Sequence, residues 1–121
     1  MKNDAILSRL GLAAKGGNVL SGGFQTETAV KSGRARLVIA ARDASAGSLK
    51  KIRDMCSYYK VPLLLYGNRE DLGACIGKAL RTSVVLTDDG LAAAVLKKAG
   101  AGAPPAGAER RDARNGENES I

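Results

Sequence analysis

The sequence predicts an α/β fold, a three-layer α/β/α sandwich with a four-stranded, mostly buried mixed sheet. Up to residue 99, segments whose apolar residues recur at helical spacing alternate with short apolar runs, the pattern of strands separated by helices. The run RLVIAA at residues 36–41 is apolar after its arginine, as expected of a central strand covered on both faces. A chain of 121 residues has the length of one domain and can bury a core.

Cap residues and glycines bound the first two helices. Asn3 or Asp4 can cap helix one, and the glycine pair at residues 16–17 would end it. A short strand is expected at residues 19–20. Helix two should then occupy residues 22–32 and stop at the glycine that follows. The apolar side of helix one would be formed by Ile6, Leu7, Leu10 and Ala14.

Helix three should begin after Ser45, a suitable cap. Pro62 precedes the next strand, residues 63–66, where its missing N–H removes no necessary ladder hydrogen bond. Helix three would have an apolar face formed by Leu49, Ile52, Cys56 and Tyr59, and a solvated face formed by Lys50, Lys51 and Asp54.

The last strand of the domain is expected between two capped helices. Asn68 and Asp71 approximate a capping box for helix four, and the strand should occupy residues 82–86. Thr87 is the expected cap of the final helix. Acids in the first turn of that helix and lysines in its last turn suit the helix dipole; these are Asp88, Asp89, Lys97 and Lys98.

The composition changes at Gly100. Residues 100–121 contain almost no apolar side chain larger than alanine, so we expect a disordered polar tail after an ordered domain of residues 1–99. The three arginines and four acids of the tail give it a net charge of −1, whereas the whole chain carries +7. The domain therefore carries +8, and the tail is not expected to act as an RNA-binding arm.

Charge and cysteine content narrow the class of protein. A basic domain with a pI near 9.7 favours a polyanionic partner, either nucleic acid or an anionic membrane surface. No apolar run is long enough to span a membrane and Met1–Arg9 lacks a signal-peptide core, so we expect a cytoplasmic protein without a membrane partner. We also expect a monomer. Cys56 and Cys75 fall in apolar helical patterns and the chain has no histidine, which predicts two buried thiols, no metal site and no cofactor.

Enzyme signatures do not fit this chain. GACIGK at residues 73–78 is similar to a P-loop, but three residues separate its glycines where a P-loop has four. Ala79 also stands where the P-loop has a magnesium-binding Ser or Thr. Asp88 and Asp89 are better interpreted as helix-opening acids than as a catalytic pair. The sequence therefore predicts a protein that is not an enzyme.

The start of helix two is the most informative segment. Gly22 and Gly23 allow the backbone to approach a ligand closely, and the N–H groups of the helix that opens after them form a natural anion site. RNA is the first candidate ligand. With only three tyrosines and one phenylalanine, the chain has too few aromatic residues for a single-strand stacking platform. Structured RNA, recognised by its shape, fits better.

Three segments carry a resemblance to one protein family. They are NVLSGGFQTETAVKSGRARLVIAARD at residues 18–43, CSYYKVP at residues 56–62 and DLGACIGK at residues 71–78. Over residues 5–99 the chain resembles the bacterial YlxQ-like branch of the archaeal and eukaryotic ribosomal protein family that binds kink-turn RNA. The resemblance implies the same three-layer sandwich and a structured RNA, ribosomal or other, as the ligand.

The resemblance implies an RNA site at the start of helix two. Alignment of the closing glycines places Gly22 on the opening glycine of the family and Gln25 on its Glu or Gln, whereas Phe24 stands in place of Asn or Lys and Thr28 in place of a lysine. Gln25 can both donate to and accept from the edge of a guanine. Phe24 cannot hydrogen-bond through its side chain. It is either a core residue, the interpretation we favour, or a stacking surface against RNA.

The resemblance implies a second RNA contact in the loop after helix four, at residues 78–82. Leu80 would cover an extruded base there, while Lys78 and Arg81 would hold phosphates; the alternative is a basic surface turn. Lys31 and Arg34 add positive charge near the end of helix two, although each is individually explained as a solvated cation.

These observations favour a non-enzymatic, ribosomal-protein-like RNA-binding protein that recognises a kink-turn or an internal loop. The alternative is an adaptor of the ribosome or the translation machinery with weak RNA binding, which the departures at Phe24 and Thr28 would allow. A small-ligand-binding α/β enzyme is a weaker alternative. Salt-dependent RNA binding would separate the first hypothesis from the other two.

Overall fold

Helices and strands alternate along residues 4–100, which are the residues that the computed structural model describes. The elements are α1 (Ala5–Lys15), β1 (Val19–Ser21), α2 (Gly23–Lys31), β2 (Leu37–Ala40), α3 (Ala46–Tyr59), β3 (Leu63–Leu65), α4 (Arg69–Cys75), β4 (Ser83–Leu86) and α5 (Asp89–Lys98). Each corresponds to a predicted helix or strand. The predicted tail after Gly100, and Asn3 as a cap candidate, lie outside the described residues.

The four strands form one mixed sheet in the order β1-β4-β2-β3. β4 is antiparallel to both of its neighbours, β1 and β2, whereas β2 and β3 are parallel. All four residues of β2 and all four of β4 are buried, while the outer strands β1 and β3 are half-buried. The prediction of a mostly buried mixed sheet with RLVIAA at its centre is confirmed.

Helices cover both faces of the sheet. On one face α1, α4 and α5 pack against side chains of the inner strands, including Leu37, Ile39, Val84 and Leu86. On the other face α2 and α3 pack against Val38, Ala40 and Val85. Successive strand residues point to opposite faces, so each inner strand contributes to both cores. This is the predicted three-layer sandwich.

Two local predictions are wrong. Asp88, not Thr87, caps α5, because the Asp88 carboxylate accepts a hydrogen bond from the Leu91 N–H at 2.9 Å. The Thr87 N–H instead donates to the Asn18 carbonyl at 3.0 Å and extends the pairing of β1 with β4. Tyr59 is not part of the apolar face of α3. It is the last residue of that helix and is 40% exposed.

The strand directions gather several chain segments at one edge of the sheet. β1, β2 and β3 run the same way, and β4 runs the opposite way. The starts of α2, α3 and α4 therefore lie at the edge where β4 begins, together with the loop at residues 76–82. Within residues 4–100, no helix is long and apolar enough to cross a membrane.

Candidate functional site

The start of α2 differs from the other four helix starts in the described chain. At each of the others a side chain accepts a hydrogen bond from a backbone N–H of the first turn; these caps are Asp4, Ser45, Asn68 and Asp88. The cap of α2 is Gly22, which has no side chain to offer, and the first turn of α2 contains no acid. The N–H groups of residues 23–25 precede the first intrahelical hydrogen bond and are available to an anion.

Gly22 sets the direction in which the backbone enters α2. Its φ of 91° and ψ of 161° lie in a region that is essentially restricted to glycine. The Gly22 N–H donates to the Ser83 carbonyl at 3.1 Å, and the Gly22 carbonyl accepts from the Thr26 N–H at 2.9 Å. The helix start is thereby attached to the beginning of β4.

A buried pair of hydroxyls holds α2 on the sheet beneath this start. Thr26 Oγ1 and Ser83 Oγ are 2.8 Å apart, and both residues are 1% exposed. Each hydroxyl satisfies the other, as buried polar groups require. This pair was not predicted, although a serine that opens the apolar strand SVVL and a threonine on the inner side of α2 indicate a buried hydroxyl contact.

Gln25 is oriented by a hydrogen bond to the end of β1. Its Oε1 accepts from the Ser21 N–H at 3.3 Å, so the side chain reaches back to the end of β1. The exposed amide nitrogen of Gln25 supplies two further donors. Gln25 in this conformation can donate to a base edge.

Phe24 is 82% exposed, so the expectation that it is a core residue is wrong. The buried side of α2 is formed by Thr26, Ala29 and Val30. Phe24 lies on the opposite side, with Thr28 and Lys31 at the i+4 and i+7 positions of the same face. The helix turns its only aromatic side chain toward solvent.

Arg81 joins the second predicted contact to the first. Its Nε donates to Ser21 Oγ at 3.1 Å, and its Nη1 donates to the Leu80 carbonyl at 2.9 Å. The Arg81 N–H also donates to the Arg69 carbonyl at 3.0 Å. Ser21 directly precedes Gly22, so the loop and the helix start form one continuous surface, on which Leu80 is 56% exposed and Lys78 is exposed.

Gly73 allows this loop to pack closely on α4. A β-carbon at Gly73 would lie 1.4 Å from the Ala79 carbonyl oxygen, which no packed structure tolerates. The Lys78 N–H donates to the Gly73 carbonyl at 2.8 Å. The GACIGK segment is therefore the last part of α4 and the tight turn after it, which together set the position of Leu80 and Arg81.

Lys31 and Arg34 lie at the other end of α2. Lys31 Nζ is 2.7 Å from Glu27 Oε2. This hydrogen bond and the accompanying charge attraction raise the pKa of Lys31 and lower the pKa of Glu27. At about 1.5 Å per helical residue, Lys31 is roughly 12 Å from the helix start. The structure does not bring these two cations together with Gly22, Gln25 and Arg81.

The described residues contain no arrangement suited to metal binding or nucleophilic catalysis. No group of three potential metal ligands occurs among residues 4–100. Burial raises the pKa of Cys56 to about 12 and that of Cys75 to about 11, so both thiols are protonated at neutral pH. Cys75 is half-buried rather than fully buried as predicted. It lines a cavity of about 290 Å³ between α1 and α4, together with Asp71.

Comparisons with known proteins connect this arrangement to one family. The sequence pattern of the ribosomal protein L7Ae/L30e/S12e/Gadd45 family matches residues 4–97. The RNA-binding protein YlxQ of Bacillus subtilis (strain 168) is 42% identical over 83 residues, which are 69% of this chain and 83% of that protein. The RNA-binding protein YlxQ of Enterococcus faecium is 31% identical over 86 residues, 71% of this chain and 82% of that protein.

A solved structure has the same fold. It is a protein of unknown function from Bacillus halodurans, with a TM-score of 0.75 and 37% sequence identity. The match covers 78% of this chain and 95% of that one. The α/β/α sandwich is therefore shared with this solved relative over nearly its whole length.

Proposed function

We propose that this chain, which belongs to the ribosomal protein L7Ae/L30e/S12e/Gadd45 family, binds structured RNA and is not an enzyme. The main structural support for RNA binding is the Arg81–Ser21 hydrogen bond, which joins the open start of α2 and the loop at residues 78–82 into one basic surface. The two YlxQ relatives are RNA-binding proteins, which supports the same function here.

The proposed site binds phosphates and a base edge through different groups. The N–H groups of residues 23–25, Lys78 and the remaining donors of Arg81 suit phosphate oxygens, and the amide nitrogen of Gln25 suits an acceptor on a base. These groups span the helix start and a neighbouring loop. An RNA that bends at a kink-turn or an internal loop would contact both, and ribosomal RNA is the leading candidate.

The domain of residues 1–99 accounts for the proposed activity. Residues 1–99 carry a charge of +8 and residues 100–121 carry −1. A chain truncated after Gly100 should therefore bind RNA as the full chain does. We also propose that the protein is a cytoplasmic monomer. Truncation should leave the melting temperature nearly unchanged. A clear loss of affinity or of melting temperature would show that the tail contributes.

A salt titration tests the proposal. The full chain is titrated with a fluorescein-labelled kink-turn RNA and with a paired duplex of equal length, between roughly 50 and 200 mM salt. Affinity for the bent RNA should fall steeply with salt, because binding releases counterions from the phosphates that the domain neutralises. An affinity that does not change with salt would contradict the proposed RNA binding.

An adaptor function is the second candidate. The exposed side chains of Phe24 and Leu80 at this surface also suit a protein partner. The substitutions Arg81→Ala and Lys78→Ala remove positive charge from the proposed RNA surface. If the variant protein still co-sediments with ribosomes, the adaptor function is favoured.

A further inference from the structure

We propose that Phe24 is a stacking platform for one unstacked nucleobase, so that the site requires an extruded base but accepts any of the four. This inference rests on the RNA binding proposed above. It names the feature of the RNA that the start of α2 recognises, and it assigns Phe24 a role that requires an aromatic face.

The exposure of Phe24 has no explanation in the folded domain. Phe24 is the only phenylalanine in the chain and is 82% exposed. It belongs to neither hydrophobic core. An exposed aromatic side chain gives up the free energy that its burial would contribute. The ring is therefore free to contact a ligand, and its loss should not unfold the protein.

The surroundings of Phe24 match the chemistry of a nucleotide. A nucleotide joins a planar, apolar base face to an anionic phosphate. The start of α2 presents the aromatic ring beside the free N–H groups of residues 23–25. Arg81 is held nearby, because its Nε donates to the Oγ of Ser21, which lies three residues before Phe24. An apolar protein segment would leave these anion-binding groups unused, so the pairing of ring and anion site favours RNA.

Two features predict tolerance of base identity. Every base has an aromatic face, so stacking does not distinguish strongly between bases. The Gln25 Oε1 accepts one hydrogen bond from the Ser21 N–H, which leaves its second lone pair and the two amide donors for a base edge. Gln25 can therefore meet either a donor or an acceptor on a base, so the first turn of α2 favours an accessible base without requiring one particular base.

The test uses fluorescein-labelled RNA hairpins that differ only at a bulge. The bulged nucleotide is U, A, C or G, or is abasic, and a fully paired hairpin serves as the reference. The protein variants are Phe24→Ala, Phe24→Leu and Phe24→Tyr. Tyr58→Ala is the matched control, because Tyr58 is also strongly exposed, at 78%, but lies at the far end of α3.

Loss of the aromatic face should be visible only with a base to stack on. Phe24→Ala and Phe24→Leu should weaken binding to the bulged hairpins by at least about fivefold, while Phe24→Tyr and Tyr58→Ala should bind as the parent does. The abasic hairpin should bind the parent weakly and show no further loss in Phe24→Ala. The four bulged bases should agree within about fivefold, and melting temperatures should be equal.

The outcomes separate the two proposals. If the parent binds the bulged hairpins in a salt-dependent way and Phe24→Ala or Phe24→Leu binds equally well, the stacking inference is overturned and RNA binding stands. A preference of the parent for one base by more than tenfold would overturn the claimed tolerance. If the parent binds no RNA at low salt, the proposed function fails and the inference fails with it.

Discussion

The starts of α2 and α4 lie at the same edge of the sheet and are built in opposite ways. At α4 the Asn68 Oδ1 accepts from the Asp71 N–H at 2.7 Å, and Glu70 and Asp71 bring negative charge into the first turn. At α2 the cap is Gly22, and the first turn contains neither a capping side chain nor an acid. One helix start is closed by the protein itself, and the other is left open.

This difference separates a stabilising role from a binding role. Relative to alanine, a side-chain cap contributes about 1 kcal/mol to stability, and the glycine cap of α2 gives up roughly a few tenths of a kcal/mol of this. The two acids at α4 repel phosphates, whereas the unpaired N–H groups at α2 attract them. Under the proposed function, an RNA that approaches this edge would therefore be directed to α2.

Gly73→Ala should have the largest effect, because it disturbs the element that places the loop beside the open start. The new methyl group would lie 1.4 Å from the Ala79 carbonyl oxygen, so the free energy of unfolding should fall by about 3 kcal/mol. Urea unfolding measures this. Gly47→Ala is the control, since no atom lies within 4 Å of its added β-carbon; an equal loss in both variants would contradict the packing argument.

Gly22→Val should impair both stability and RNA affinity. The φ of 91° is retained only at a cost of about 1–3 kcal/mol for a residue with a β-carbon, and relaxation of the strain would move the free N–H groups. Gly23→Ala is the matched control for stability, because Gly23 has no positive φ and open space around its β-carbon. Comparable losses of stability at both glycines would mean that the conformation of Gly22 is unimportant.

Gln25 should report on base recognition at the open start. Gln25→Ala should cost about 1–3 kcal/mol of RNA binding. Gln25→Glu keeps an acceptor for the Ser21 N–H but removes the two amide donors, so it should also bind weakly while melting like the parent. Fluorescence anisotropy with a kink-turn RNA provides the measurement. If Gln25→Glu binds as the parent does, the donors are not used.

Arg81→Ala should weaken all RNAs to a similar degree and reduce the slope of log Kd against log salt by about one. Ser21→Ala removes the Oγ that orients the Arg81 guanidinium but leaves its charge. It should weaken binding while keeping the parent's salt slope. Unchanged binding of a bent RNA in Arg81→Ala and in Gln25→Ala would move the adaptor hypothesis ahead.

Asn68→Ala should have the smallest effect on binding. It removes the cap of α4 and should lower stability by about 1 kcal/mol, which thermal unfolding detects. RNA affinity should stay within error of the parent, because the closed start of α4 is not part of the proposed surface. A loss of RNA affinity comparable to that of Gln25→Ala would erase the contrast between the two helix starts.

The helix caps illustrate how far local sequence predicts structure. Asp4, Ser45 and Asn68 cap their helices as expected, because capping involves residues only three apart. The cap of α5 was misplaced by one residue. Thr87 has the right chemistry, but its N–H continues the sheet toward Asn18, which depends on a distant strand.

Phe24 and Arg81 show why the candidate site was only partly predictable. Thr26, Ala29 and Val30 form the buried side of α2, whereas the prediction for Phe24 relied on the preference of aromatic residues for cores. The contact of Arg81 with Ser21 joins residues 60 positions apart, and no local sequence pattern predicts this contact. Which predicted groups share one surface depends on the strand order.

By itself the sequence determined the alternation of helices and strands, the buried inner strands and the glycine at the start of α2, because periodicity, capping and backbone freedom act within a few residues. The tertiary structure alone decided that Leu80 and Arg81 lie beside that glycine, that Lys31 and Arg34 lie at the opposite end of α2, and that Phe24 faces solvent. These outcomes depend on strand order and on where the sheet ends, which follow from contacts between residues distant in the chain.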